Sequence, residues 1–333
     1  MSTNNHFYLR DNTKVLGNSQ LSDKAKERIL LAKAPHTIDA YESDWNDFVD
    51  WCTYKKASYY PASPETISNY INDLADYAKA NTISRRISAI SENFNAAGLA
   101  ENPCTSPLVK QALRGIRRLK GTYQQGKTPV LLEDLIDIIE GMPKWDIPPI
   151  VQIRDKAILL IGFMGAFRRS EISALRLENI SFSPKGMEIF IANSKADQEG
   201  QGAVVAIPYI DDERLCAVLA VRKWLQVSQI TSGPLFRGFT KSMSLRKTAL
   251  SDKSIADIVK KYIALIGLDP SMYGAHSLRH GFATTAAAYG VEERNIMRQT
   301  RHHSVNMVRR YINEANKFVD NPITSIFNQR IYR

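Results

Sequence analysis

The sequence predicts a mainly α, α+β chain: an N-terminal helical bundle followed by a mostly helical domain that carries one small antiparallel sheet. Three observations predict it. Helical apolar periodicity recurs across residues 22–120 with no convincing strand between. Residues 187–208, in contrast, give two β-type runs around a turn, with Met187, Ile189 and Ile191 alternating. Finally, 333 residues exceed what one hydrophobic core ordinarily serves, and the polar stretch KGTYQQGK at 120–127 offers a place to divide them. The expected organisation is a mobile arm over 1–21, a bundle over 22–120, a linker over 121–130 and a second domain over 131–333.

Each element has its own signal. LSDKAKERILLAKA opens the bundle. HTIDAYESDWNDFVDWCTYKK follows, with Tyr41, Trp45, Phe48, Val49 and Trp51 at helical spacing. SPETISNYINDLADYAK begins with a Ser N-cap and a Pro at the first helical position, and SPLVKQALRGIRRLK begins the same way. Between them TISRRISAISENFNAAGL ends at Gly98, a helix stop. In the second domain LLEDLIDIIEGM is a helix. RDKAILLIGFMGAFRRSEISAL is a longer, very apolar one interrupted by Gly162 and Gly165. DDERLCAVLAVRKWLQVS, SDKSIADIVKKYIALIGL and HSLRHGFATTAAA are further helices, and Ser304 is placed to cap the last one, over Val305, Val308 and Ile312. There is no internal repeat.

Composition narrows the partners. Forty-four basic against 34 acidic residues leave a net charge of +10, which points towards nucleic acid. No run approaches the length of a membrane span, and the start lacks the apolar core of a signal peptide. The three cysteines, Cys52, Cys104 and Cys216, are far apart and form no CxxC pair, which fits a reducing compartment rather than disulfides or structural zinc. A cytoplasmic, DNA-associated protein is expected.

The chemistry-bearing residues gather near the C-terminal end. His276, Arg279 and His280 of HSLRH lie at i, i+3 and i+4, so one helix face carries all three. His302 precedes the last helix and Tyr311 lies two turns into it. This layout can gather imidazole, guanidinium and phenol around one small anion. Singly, each residue has an ordinary explanation: a packed histidine, or a tyrosine continuing the Val308 and Ile312 stripe. His276 and His280 could also ligate zinc, but HExxH is absent and no third ligand completes a site. No metal or other cofactor is expected. Arg168, in FRRSEI at the end of an apolar helix, needs a carboxylate or an anion and has Glu171 at i+3. Lys195 lies near the tip of the hairpin.

RRSE, a hairpin lysine, HSLRH, RHHS and a tyrosine nine residues after His302, in this order and spacing, resemble the tyrosine recombinase (phage integrase) family. The resemblance covers nearly the whole chain, and the Trp-Cys of the second helix followed by SPETISNYINDL is most similar to the Cre-like members. It implies the DNA breaking-rejoining fold, with a core-binding bundle, a catalytic domain and a C-terminal segment that docks on a neighbouring subunit. It also implies roles. Arg168 and Arg279 match the arginines that hold the scissile phosphate, and Glu171 a supporting carboxylate. Lys195 matches the lysine that protonates the leaving 5′-oxygen. His276 matches the acid/base histidine. His302 matches a second histidine that can be Trp in Cre-like proteins, so its role is hydrogen bonding rather than proton transfer. Tyr311 matches the nucleophile that becomes a 3′-phosphotyrosine. Arg301 departs from the pattern, standing where the family commonly has Gly. It either costs backbone freedom at the turn or places another cation near DNA. Arg168 rather than Arg169 is selected by the RxSE spacing alone.

The implied function is site-specific DNA recombination without metal or ATP, by a homotetramer on two duplexes whose sites are inverted repeats. Candidate DNA contacts are Arg85 and Arg86 at the start of the fourth helix, Arg114, Arg117 and Arg118 on one face of the fifth, and Lys253 at the start of SDKSIADIV. The competing readings are a DNA-relaxing enzyme of the type IB topoisomerase kind, a zinc-dependent hydrolase using the histidines, and a catalytically silent DNA-binding repressor.

Overall fold

The computed structural model describes residues 7–10, 21–121, 126–192, 202–302, 304–317, 323 and 327. The chain divides into two compact units, Met1–Gln125 and Gly126–Arg333.

Among its described residues the first unit holds α1 (Asp23–Leu30), α2 (Pro35–Lys55), α3 (Pro64–Ala75), α4 (Ala80–Ala96) and α5 (Pro107–Lys120). The Ser-Pro starts work as their chemistry dictates. Ser63 Oγ accepts the Thr66 N–H at 3.2 Å and Ser106 Oγ the Val109 N–H at 3.3 Å, each cap stabilising its helix by about 1 kcal/mol. Gly98 follows α4 at φ 72°, where a side chain would be strained. The core forms around the fully buried Trp45, whose ring meets those of Phe48, Tyr59 and Phe94 at 5.7, 6.3 and 5.5 Å.

The mobile arm expected over 1–21 is corrected at residues 7–10. Phe7 and Leu9 are buried in this core, and the Leu9 N–H bonds Asn93 Oδ1 at 3.1 Å. Arg10 pairs with Asp39 and Glu42 of α2. Two apolar residues in a polar stretch give no periodicity, so this docking is a tertiary effect invisible to pattern reading.

The second unit holds α6 (Leu132–Gly141), α7 (Pro149–Met164), α8 (Arg169–Ala174), α9 (Ala217–Ser228), α10 (Asp252–Leu265), α11 (His276–Ala288), α12 (Glu293–Thr300) and α13 (Val305–Ala315). Its strands are β1 (Ile180–Ser183), β2 (Gly186–Ile191), β3 (Ala203–Pro208), β4 (Arg237–Phe239) and β5 (Leu245–Ala249). Residues 157–161 of α7 are all fully buried, so this helix is the axis of the main core. Among the described residues there are two sheets instead of one: antiparallel β1-β2-β3, and the ribbon β4-β5. In the first, Met187 pairs with Ile207 and Ile189 with Val205, all buried, while Phe190 and Val204 face out. β1 has four residues and β5 is mostly exposed, too short and too polar to carry an alternating signal.

The linker expected over 121–130 is corrected at its end. Val130 is fully buried and its N–H bonds the Ser277 carbonyl at 2.9 Å, while the Thr128 N–H bonds that of Met272 at 2.9 Å. Gly281 permits this approach, because a Cβ there would stand 1.7 Å from the Val130 carbonyl oxygen. Gly281→Ala is therefore expected to destabilise by about 3 kcal/mol or more, since backbone must shift. An unchanged denaturation midpoint would contradict this packing.

A second, smaller cluster joins α11, α12 and α13: Ala283, Ala286, Ala287, Ile296, Val308 and Tyr311. The alanines let α13 approach closely. Among the described residues no helix is long and apolar enough to cross a membrane.

Candidate active site

The turn between α7 and α8 begins the site. Ala166 is fully buried at φ 46°, an unusual conformation for a residue with a Cβ, costing about 1 kcal/mol or more. Its carbonyl accepts Arg279 Nη1 at 2.8 Å and Arg301 Nη2 at 3.1 Å. Strain at this residue thus presents one oxygen to two guanidinium groups.

Two residues on, Arg168 caps α8. Glu171 Oε2 accepts the Arg168 N–H at 2.8 Å and Glu171 Oε1 accepts Arg168 Nη1 at 2.7 Å. Arg301 Nη2 donates to Glu171 Oε2 at 2.8 Å. Burial works to raise the Glu171 carboxyl, but Arg301 and Arg168 outweigh it and hold it below its ordinary value.

Arg279 projects from the first turn of α11 and is 1% exposed. Beyond its bond to Ala166, its Nε and Nη2 have no partner among the described residues. Burial, then the positive Arg168 and Arg301, push it down to about 9, still charged at neutral pH. Buried charged donors left unpaired are costly unless an anion completes them. The guanidinium groups of Arg168, Arg279 and Arg301 share one carboxylate, Glu171, and together these four groups carry a net of two positive charges.

The imidazoles differ in setting. His302 is buried and its Nδ1 lies 2.7 Å from Thr300 Oγ1. That hydroxyl donates to the Ile296 carbonyl at 2.7 Å, so it accepts from His302 Nδ1–H and leaves Nε2 with its lone pair. Burial, then Arg279 and Arg168, push His302 down to about 3. Burial, then Arg279, His280 and Arg168, also lower His276. His276 is itself exposed, so its positive neighbours, more than burial, depress it. His280 also lies against Tyr311, and its Nδ1 meets the Lys127 carbonyl at 3.1 Å. Its Nε2 stands 3.4 Å from Glu314 without hydrogen-bond geometry, a loose charge contact only.

Tyr311 is 9% exposed, with its ring 5.7 Å from that of His302 and 4.7 Å from that of His280. Burial raises its phenol, opposed by the positive Arg279, Arg310 and Arg168. The tyrosine is both core and site: its stem fills the alanine-lined gap while the site arginines act on its phenol.

The depressed His302 sets a pH dependence. An ordinary histidine at 6.5 in the unfolded chain takes up a proton that the folded site refuses, so stability is full above pH 6.5 and declines towards pH 3. Between pH 7 and 5 this group is expected to contribute about 1–2 kcal/mol of the loss. Thermal melts of His302→Gln should flatten by that amount, and parallel profiles would contradict a buried neutral imidazole.

The structure therefore brings Arg168, Glu171, Arg279, His276, His302 and Tyr311 into one region. Lys195 lies outside the described residues. Ser304 precedes α13 as expected but makes no side-chain capping bond. Pattern reading missed Ala166 and Thr300 and left the role of Arg301 open. Among the DNA candidates, Arg86 is committed to Asp44, Asp47 and Tyr70, and Arg85 to Asp44. Arg117 Nη2 donates to Ser84 Oγ at 3.0 Å, while Arg114, Arg118 and Lys253 are exposed. Among the described residues no three His, Cys, Asp or Glu side chains converge to hold a metal ion.

The model of the phage integrase family matches residues 132–317, and that of the phage integrase N-terminal SAM-like domain matches 26–99. An integrase/recombinase XerD homolog of Selenomonas ruminantium is 50% identical over 331 residues, covering 99% of this chain and 96% of that protein. Recombinase Cre of Escherichia phage P1 is 24% identical over 330 residues, covering 92% and 94%. The expected closeness to Cre is thus corrected: identity to the XerD homolog is about twice as high. Among solved structures, the XerH recombinase bound to palindromic difH substrate in a post-cleavage complex shares the fold. Its TM-score is 0.69, with 18% identity, covering 95% of this chain and 93% of that one. A lambda integrase tetramer bound to a Holliday junction matches with a TM-score of 0.57 and 14% identity, covering 94% and 78%. With Arg168, Glu171, Arg279 and His302 gathered beside a buried tyrosine, and both family models matched, the chain belongs to the phage integrase family of tyrosine recombinases.

Proposed function

We propose that the chain cuts and rejoins double-stranded DNA at a specific inverted-repeat site, as a homotetramer on two duplexes, through a 3′-phosphotyrosine at Tyr311. The observation that carries this reading is Arg279: a buried guanidinium whose Nε and Nη2 have no partner among the described residues, charge-coupled to the Tyr311 phenol. The palindromic substrate of XerH and the tetrameric lambda integrase support the inverted repeat and the tetramer.

In this reading Arg279 and Arg168 hold the non-bridging phosphate oxygens, for which forked guanidinium groups suit better than ammonium. The net of two positive charges matches the charge that builds on a phosphoryl group under attack. The Tyr311 oxygen forms a bond to phosphorus as the bond to the 5′-oxygen breaks. His276, whose lowered value leaves it neutral, accepts the phenolic proton. His302 is neutral and offers a hydrogen-bond acceptor. Lys195, by family resemblance, returns a proton to the departing 5′-oxygen. A phosphodiester is exchanged for a phosphodiester, so attack by a second strand's 5′-hydroxyl reverses the step without ATP. The bundle 22–120 and the domain 131–333 act as DNA-binding and catalytic domains, and Arg114, Arg118 and Lys253 contact the DNA.

The test is covalent capture. Wild-type protein is incubated with a labelled pool of duplexes carrying a randomised inverted repeat, and protein-linked DNA is recovered in denaturant. Recovered DNA is expected to converge on one inverted repeat, with yield unchanged by EDTA. Adducts spread over unrelated sequences would favour a DNA-relaxing enzyme. Yield lost to EDTA and restored by zinc or magnesium would contradict the metal-free scheme.

A further inference from the structure

Arg301 takes up an unusual backbone conformation and an unusual number of bonds. It ends α12 at φ 54°, a conformation that glycine adopts far more readily. Its Nη1 donates to the carbonyls of Gly165 and Gln299, both at 2.9 Å, and its Nη2 to Ala166 at 3.1 Å and Glu171 at 2.8 Å. The guanidinium carbon lies 5.0 Å from the centre of the Phe167 ring. Nη1 and Nη2 are therefore both spent on protein acceptors, whereas the buried Nε has no partner among the described residues.

The acceptors are the informative part. Glu171 also orients Arg168, and the Ala166 carbonyl also holds Arg279. Arg301 thus joins both supports of the phosphate-holding pair. Its own backbone leads directly to His302 and, through Ser304, to the helix of Tyr311.

We propose that Arg301 is a positioning residue: it pins the turn carrying His302 and the Tyr311 helix to the Glu171 and Ala166 supports, fixing the nucleophile against the arginine pair. This rests on the recombinase reading above. The guanidinium does through a side chain what a bare glycine turn cannot, tying the end of its own helix to the stretch 165–171, at least 130 positions earlier in the sequence. The corner retains other anchors, because Gln299 Nε2 bonds the Met164 carbonyl at 2.8 Å and the apolar cluster of α11 to α13 is untouched. Arg301→Gly also relieves the backbone, so a folded variant is expected.

The experiment uses the full-length protein and the duplex recovered by covalent capture, with DNA affinity, melting temperature and single-turnover adduct formation read together. Arg301→Gly is expected to bind that duplex as wild type does and to form adduct about 10–100-fold more slowly, the cost of a misplaced nucleophile. Arg301→Lys should not restore the rate, since an ammonium cannot bridge four acceptors in a plane. If Arg301 acts through Glu171, the double variant with Glu171→Gln should be no slower than the slower single variant. Arg301→Gly cleaving at the wild-type rate, or losses that multiply in the double variant, would overturn the assignment. A loss of DNA affinity that accounts for the whole rate loss would overturn it too. Failure of the wild-type protein to form any adduct would instead remove the recombinase reading, and this role with it.

Discussion

Arg279→Lys is expected to lower single-turnover DNA cleavage by about 10²–10³-fold, the usual cost of removing a donor aimed at developing charge. The charge survives in this variant, so the loss isolates geometry. Arg279 Nη1 is bonded to Ala166 while Nε and Nη2 remain for the phosphate. A lysine ammonium cannot reach the carbonyl and two phosphate oxygens along fixed directions. Stability should move the opposite way. Burial and two neighbouring guanidinium groups work against charge at Arg279, and buried charge is often replaced by apolar side chains at no cost or with a gain. Arg279→Met is therefore expected to melt at or above the wild-type temperature while showing no cleavage. A variant that melts lower and still cleaves would reverse both halves of this account.

Tyr311→Phe is expected to fold, to bind the captured duplex as wild type does, and to yield no DNA-linked protein. The substitution removes only the hydroxyl. The ring that packs with Ala283, Ala286, Ala287, Ile296 and Val308 is kept, so the junction of α11 and α13 is preserved. Tyr311→Ala, in contrast, would open that cluster and cost roughly 3–5 kcal/mol, confusing loss of chemistry with loss of fold. The phenylalanine variant separates the two functions of this side chain.

Most of the helices were legible because their start signals are local. Ser63-Pro64 and Ser106-Pro107 carry the capping atom and the fixed φ within two residues of each other. The hairpin of β2 and β3 was legible from the alternation of Met187, Ile189 and Ile191. The two short strands of the β4-β5 ribbon were not, because exposed strands of this length are held by their neighbours rather than by their own pattern. The docking of Phe7 and Leu9 was hidden for the same reason. So was the burial of Val130, which depends on Gly281 some 150 residues later in the sequence.

The candidate site was legible as a set of residue types in a fixed order, but its supports were not. Nothing in GAFRR announces that Ala166 adopts a left-handed conformation and lends its carbonyl to two arginines. Arg301 stood out only as an exception to a pattern, and its value lies in acceptors at residues 165, 166 and 171, remote from it in sequence. Arg85 and Arg86 have partners that the sequence did not reveal. Asp44 and Asp47 of the neighbouring helix pair with them, and Arg86 also reaches Tyr70. Basic clusters in sequence carry no record of the acids that face them in space.

The most direct measurement digests the trapped protein–DNA adduct and identifies the nucleotide-bearing peptide by mass spectrometry. A nucleotide 3′-phosphate on Tyr311, in the peptide following Arg310, is the result this account predicts. The same modification on any other residue, or an adduct that persists in Tyr311→Phe, would contradict it.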